Sequence, residues 1–191
     1  KLKTIENVVD LEEHPLRFDF FLNLKFMWLY NSIPPLKELH NMVGMKKVKE
    51  MVFQQLTYFV QRLQDRKELL HIVITGSPGV GKTELGKILG KLYFNLGFLD
   101  KPLVKMVRRS DLIGGYLGQT TLKTQKVIDE IQGGVLIIDE AYSLGNSELR
   151  DSYAKECIDT INQNLTEGKG NFLCIIMGYK DALDRCFFAY N

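Results

Sequence analysis

The chain has 191 residues, 25 Lys and Arg against 23 Asp and Glu, and a formal net charge of +2. That length allows one domain with a sizeable core, or one domain plus a small extension, with the composition of an ordinary soluble globular protein. Acids and bases alternate along the chain, so the charge leaves no electrostatic footprint for nucleic acid or an anionic membrane.

Residues 1–33 read as an N-terminal extension. Its most apolar stretch, Phe18 to Tyr30, is interrupted by Asp19, Asn23 and Lys25. It is also shorter than the ~20 residues of a membrane span, so a core-facing or docking segment is expected. No signal-peptide pattern is visible. Ile33-Pro34-Pro35 marks a break between elements, because proline restricts itself and its predecessor. Residues 34–191 then form the main domain.

Leu36-Lys37-Glu38-Leu39 is expected to start a short turn leading to Met42-Val43-Gly44-Met45. From Lys46 to about Lys67 the pattern is helical, with Val48, Val52, Leu56, Phe59, Val60 and Leu63 at three- and four-residue spacings. Leu70 to Thr75 reads as a buried strand, followed by a glycine-rich turn and a helix from Thr83 to about Leu96. Leu103 to Val107 is a second strand, and Thr121 to Ile131 a helix ended by Gly133-Gly134. Val135 to Ile138 is a third strand, Glu148 to Asn164 a helix, and Phe172 to Met177 a fourth strand. Continuous apolar strands separated by helices argue for a parallel sheet covered on both faces.

Cys157, Cys174 and Cys186 are well separated, without metal-ligand spacing, and their odd number does not suggest a disulfide framework. Cys174 lies in an apolar run and is expected to be a buried free thiol. This favours a reducing, cytoplasmic setting. His14, His40 and His71 are isolated and read as surface or packing residues.

Gly76-Ser77-Pro78-Gly79-Val80-Gly81-Lys82-Thr83 matches G-x-x-x-x-G-K-[ST], with a strand before it and a helix after it. In such a loop successive amides curl inward at phosphate oxygens, and the helix N-terminus adds partial positive charge. ATP with Mg²⁺ is the expected ligand. Lys82 should reach the β- and γ-phosphates and the Thr83 hydroxyl should ligate Mg²⁺, with Glu84 in the same first helical turn. Asp139-Glu140 follows the third strand at its carboxyl end, where ligands sit in open α/β sheets. Asp139 would face the Mg²⁺ shell and Glu140 would orient and deprotonate a water for attack on the γ-phosphate.

These two motifs together resemble the AAA+ ATPases. The segment Leu39 to Glu50, with Val43-Gly44 and Val48-Lys49, looks like the part that closes over adenine in that superfamily. Three further segments are similar to the red-type rubisco activase and sporulation-stage AAA+ group. They are Asp111 to Thr120, Gly133-Gly134 through Asp139-Glu140-Ala141-Tyr142-Ser143-Leu144, and Gly178-Tyr179-Lys180. The resemblance covers roughly residues 36–190. It implies an α/β P-loop NTPase fold, a three-layer sandwich with a mainly parallel sheet. It also implies a substrate-gripping pore loop at Tyr116-Leu117-Gly118. An exposed aromatic there would offer sequence-tolerant contact area, and flanking glycines would let the loop move with nucleotide state.

Two departures stand out. Many superfamily members carry a polar sensor, often Asn, after the fourth strand; here Met177-Gly178-Tyr179-Lys180 leaves the γ-phosphate sensor unassigned, with Tyr179 or its neighbours the candidates. The family's trans-acting arginine, fifth strand and helical lid have no counterpart, and Arg185 comes too early, reading instead as an exposed helix charge. The strand before the phosphate loop is therefore expected to lack a partner on one flank. A start at Lys1 and this ending lead us to expect part of a longer protein. The resulting reading is an AAA+ nucleotide-binding core whose full protein hydrolyses ATP as a homo-hexameric ring and remodels or threads a protein substrate. The alternatives are a nucleic-acid motor, drawing on Lys105, Arg108, Arg109, Lys123 and Lys126, or a non-hydrolysing scaffold.

Overall fold

A computed structural model describes residues 24–60, 71–116, 118–145, 151–166 and 171–190. The expected helix start at Glu148, the continuation past Val60 to Lys67, Leu70, His14 and Leu117 lie outside them. Two compact units are present, Lys1–Leu69 with Ile88–Asp100, and Leu70–Lys87 with Lys101–Asn191.

The first unit is helical: α1 (Leu24–Asn31), α2 (Ile33–Asn41), α3 (Lys46–Val60) and the later turns of α4 (Lys82–Asn95). Pro34 and Pro35 occupy the first turn of α2, so the expected short turn from Leu36 is in fact a helix. Proline is tolerated there because the first helical N–H groups have no intrahelical acceptor to lose. Ile33, Leu36 and Leu39 bury their side chains, as do Val52 and Leu56 of α3 and Ile88, Leu89 and Leu92 of α4. The Lys49 ammonium donates to the carbonyls of His40 and Met42 (both 2.8 Å), closing the C-terminal end of α2. The Tyr93 hydroxyl donates to Gln55 Oε1 at 2.8 Å, and burial pushes its pKa up to about 12.

The second unit holds the sheet: β1 (Ile72–Thr75), β2 (Val104–Val107), β3 (Val135–Ile138) and β4 (Leu173–Gly178), in the order β1-β4-β3-β2 with every pair parallel. The central strands β3 and β4 are buried along their whole length, which is why they read as unbroken apolar runs. The outer strands differ from the expectation of full burial. In β1 residues alternate between buried and exposed, with Val73 48 % exposed, and β2 buries fully only Val107. Among the described residues β1 has a partner on one side only, so its apolar pattern exceeds what is covered here.

Side chains alternate across the sheet. Leu136, Ile138, Cys174 and Ile176 join one core with Val127, Ile128 and Ile131 from α6 (Gln119–Glu130) and its end, and Cys157, Ile158 and Ile161 of α7 (Ser152–Thr166). On the other face, Gly86 near the start of α4 lies against Ile137 and Met177. Helices thus cover both faces, giving the expected three layers. The chain also forms α5 (Arg109–Leu112), a 3-10 turn over Ala141–Leu144 and α8 (Lys180–Cys186). All three cysteines are free thiols, and Cys174, in β4, is fully buried with its pKa raised to about 12. Among the described residues no helix is long and apolar enough to cross a membrane.

Candidate functional site

A cleft of about 430 Å³ opens at the carboxyl ends of β1, β3 and β4, a size in the usual range for small-molecule sites. It is lined by Pro78, Gly79 and Gly81 to Glu84 of the phosphate loop and the helix after it, by Asp139 and Glu140, and by Tyr142, Gly178 and Tyr179. The loop leaves β1 at Gly76, whose N–H donates to the Gly178 carbonyl at 3.3 Å. Gly79 (φ +74) and Gly81 (φ +85) adopt the left-handed conformation that a side chain resists, and this lets the backbone curl. The helix α4 starts at Lys82, so its first N–H groups, which have no intrahelical acceptors, face the cleft end of the loop.

Each charged group at the cleft has a protein partner. The Lys82 ammonium donates to the carbonyls of Gly76 and Ser77 (both 2.8 Å) and stands 5.0 Å from the centre of the Tyr179 ring. Asp139, at the end of β3, is only 13 % exposed in its side chain and pairs with the Arg108 guanidinium at 3.3 Å. Its backbone N–H donates to Val107 O at 2.9 Å, extending the β2–β3 ladder by one residue. Glu140 then turns the chain through the left-handed region (φ +52), unusual for a residue with a long side chain. That turn starts the 3-10 segment and swings Tyr142 back to the cleft, where its ring stacks on Tyr179 at 5.2 Å. Gly178 makes room: a Cβ there would lie 3.0 Å from both Tyr142 and Leu183. Burial, then the Glu140 charge and Tyr179, push the Tyr142 phenol above its ordinary value. The oxygen-bearing side chains lining the cleft include the Thr83 hydroxyl and the carboxylates of Glu84, Asp139 and Glu140, of a kind that suits a hard divalent cation.

Among the predicted residues, Pro78, Gly79, Gly81, Lys82, Thr83, Glu84, Asp139 and Glu140 come together in the cleft. Ser77 contributes its carbonyl to Lys82, whereas Val80 is 47 % exposed and outside the cleft lining. Val43, 96 % exposed, and Gly44 (φ +74) belong to the first unit. Tyr116 is 74 % exposed and Gly118 (φ +77) is the N-cap of α6. The sequence reading missed Tyr142 and Arg108 as site residues. Tyr142 could have been suspected two positions after Glu140, but only the left-handed turn aims it inward. Arg108 could not, because its partner lies 31 residues away.

The base of the Tyr116 loop is closely held. Thr120 accepts from the Gly114 N–H at 3.2 Å, Thr124 donates to Leu112 O at 3.1 Å, and Lys123 donates to the carbonyls of Ser110 and Ile113. The Arg109 guanidinium ties α5 to the segment after Glu140 through the carbonyls of Ser143 and Leu144, and to Asp151 at 2.7 Å.

A family model for the ATPase family associated with various cellular activities (AAA) matches residues 72–187. The chain belongs to the AAA ATPase family. Members of this family use ATP, generally with Mg²⁺, and generally assemble into oligomers that act on proteins. A cfxQ-like protein, R730, of Acanthamoeba polyphaga mimivirus is 42% identical over 98% of this chain and 47% of its own length. Stage V sporulation protein K of Bacillus subtilis is 36% identical over 78% of the chain and 48% of its own length. The chloroplastic ribulose bisphosphate carboxylase/oxygenase activase of Cyanidioschyzon merolae is 34% identical over 76% and 52%. This AAA chain spans about half the length of these curated relatives. Their names fall in the group that the motifs around Tyr116, Asp139 and Tyr179 resemble.

Proposed function

We propose that this chain is the nucleotide-binding core, residues 34–191 with an N-terminal extension at 1–33, of an AAA protein that hydrolyses ATP in a homo-hexameric ring. The observation that carries the reading is the meeting of the left-handed phosphate loop, Lys82 and the Asp139-Glu140 pair in one cleft. The donor set fits a nucleoside triphosphate with Mg²⁺: inward-curling amides and an ammonium for the phosphates, and hard oxygens with a guanidinium already standing in as cation beside Asp139.

On this reading the loop N–H groups of Ser77 and of Gly79 to Thr83, with the start of α4, bind the phosphates. Lys82 exchanges its two carbonyl partners for β- and γ-phosphate oxygens. Thr83 and Asp139 would hold Mg²⁺, which when bound offsets the phosphate charge. Glu140 accepts the proton of the attacking water, while Tyr179 and Tyr142 form the wall beside it. The family resemblance offers Val43 and Gly44 for the adenine, and Tyr116, Leu117 and Gly118 grip an extended polypeptide in the ring. Remodelling of a protein is supported by what the names of relatives such as rubisco activase say of those proteins. The basic residues near the Tyr116 loop favour it too. Lys105 pairs with Glu130, Arg109 with Asp151, and Lys123 with backbone carbonyls, so these cations serve the loop's own architecture instead of forming a phosphate-binding track. A cytoplasmic location accords with three free thiols.

The test pairs two variants. Lys82→Ala should lose nucleotide binding, measured with a fluorescent ATP analogue. Glu140→Gln should keep binding and stop turnover, a drop of about 10²–10⁴-fold for loss of a general base. Undiminished binding in Lys82→Ala would sink the site assignment. Stimulation of the full-length ring's ATPase by an unfolded protein, and not by DNA or RNA, is expected. The reverse would make it a nucleic-acid motor, and no turnover in a longer chain would make it a scaffold.

A further inference from the structure

We propose that Arg108 competes with Mg²⁺ for Asp139 at the candidate metal site: it holds the carboxylate when the metal is not bound, and it thereby sets how much Mg²⁺ the site needs. The proposal rests on the nucleotide-site reading above and adds the residue that competes with the metal.

Asp139 is a carboxylate with little solvent, 13 % exposed in its side chain, beyond the buried strand β3. A charge in such a place is costly without a partner, and the described partner is the Arg108 guanidinium, with Nη2 3.3 Å from Oδ2. Arg108 comes from a different strand, at the end of β2, and is itself 64 % exposed in its side chain. The two ends of this pair are therefore unequal. Asp139 is fixed and needs a cation; Arg108 is largely solvated and loses little by leaving.

The backbone around Arg108 is fixed, so exchange requires only rotation of its side chain. Its N–H donates to Asp111 Oδ2 at 2.8 Å, and the next residue, Arg109, is held by Ser143, Leu144 and Asp151. A divalent cation on Asp139 and a guanidinium at the same carboxylate would repel each other strongly. Binding of one therefore excludes the other, which is linkage between two cations at one anion. Lys82 shows the same arrangement on the phosphate side, where the loop's own carbonyls occupy the ammonium. The difference is that Lys82 exchanges its partners for phosphate, whereas Arg108 must give up its partner entirely.

The experiment uses the whole chain and a fluorescent ATP analogue at fixed concentration, titrated with Mg²⁺, with binding in EDTA as the reference. For Arg108→Gln the half-saturating free Mg²⁺ should fall about two- to fivefold, the range expected from releasing a solvent-accessible ion pair. Arg108→Lys should stay near wild type. In an Asp139→Asn background, Arg108→Gln should no longer matter, because the pair is already broken. An unchanged or increased Mg²⁺ requirement in Arg108→Gln overturns the proposal. So does a decrease that persists in Asp139→Asn, which would mark a general charge effect. If the wild-type chain binds no nucleotide at any Mg²⁺ concentration, the site reading itself fails and this proposal falls with it.

Discussion

The phosphate loop and the Tyr116 loop both leave the carboxyl ends of parallel strands, yet they are built in opposite ways. In the first, the groups expected to meet ligand are already engaged: Lys82 with loop carbonyls, Asp139 with Arg108. In the second, the base is fastened by Thr120, Lys123, Thr124 and Arg109, while Tyr116 at its tip is 74 % exposed. The difference teaches what each can do. A loop whose internal contacts mimic those of its ligand can exchange one set for the other inside a cleft. A loop with a fixed base and a solvated aromatic tip can only display that tip to something outside.

Both regions depend on β3, so the largest expected effect erases the contrast. Ile137 is fully buried between β2 and β4, and Ile137→Ala should cost about 2–5 kcal/mol through lost burial and the cavity left behind. Urea unfolding measures this, and nucleotide binding and loop protection should weaken together. If only one weakens, the two regions do not share that support.

A smaller effect separates them. Burial raises the Asp151 pKa, but the Ala154 N–H and the Arg109 bond and charge outweigh it and hold the carboxyl below its ordinary value. The folded pKa is therefore depressed. The pair's stabilisation is fully present above the unfolded carboxylate range of about 4, and it is lost as pH falls through the folded pKa. The difference in urea midpoint between wild type and Asp151→Asn should be constant from neutral pH down to about 5 and shrink below about 4. Nucleotide affinity at neutral pH should barely change in Asp151→Asn, since Asp151 does not line the cleft and Arg109 keeps its bonds to the Ser143 and Leu144 carbonyls. The smallest effect is at the tip. Tyr116→Ala should alter stability by less than about 0.5 kcal/mol, as for an exposed side chain with no buried partner. Nucleotide affinity should stay the same, while stimulation by a protein substrate is lost in the full-length ring. Weakened nucleotide binding in this variant would contradict the separation.

Most of the second unit was legible because its strands and its phosphate loop are short-range patterns. Val135–Ile138 falls where the apolar run does, and the motif Gly76–Thr83 carries its own strand and helix. The helix at Ile33 was not legible, because Pro34-Pro35 signals a break equally well whether a loop or a helix follows. The open flank of β1 was expected, but the alternating exposure along it was not, because an apolar run does not say which of its side chains are covered.

For the phosphate loop, sequence alone determined the local backbone and, with it, the phosphate-binding reading. Glycines at fixed spacing before Lys82 and Thr83 dictate a local backbone shape, and local shape is sufficient to cradle phosphate. Only the tertiary structure decided what the charged groups do around it. The pairing of Arg108 with Asp139 and the stacking of Tyr142 on Tyr179 join residues about thirty or more positions apart. Those contacts arise from strand order and from one left-handed turn at Glu140. Such long-range contacts have no spacing to read, because they depend on which strands become neighbours and on where a single dihedral angle sends the chain.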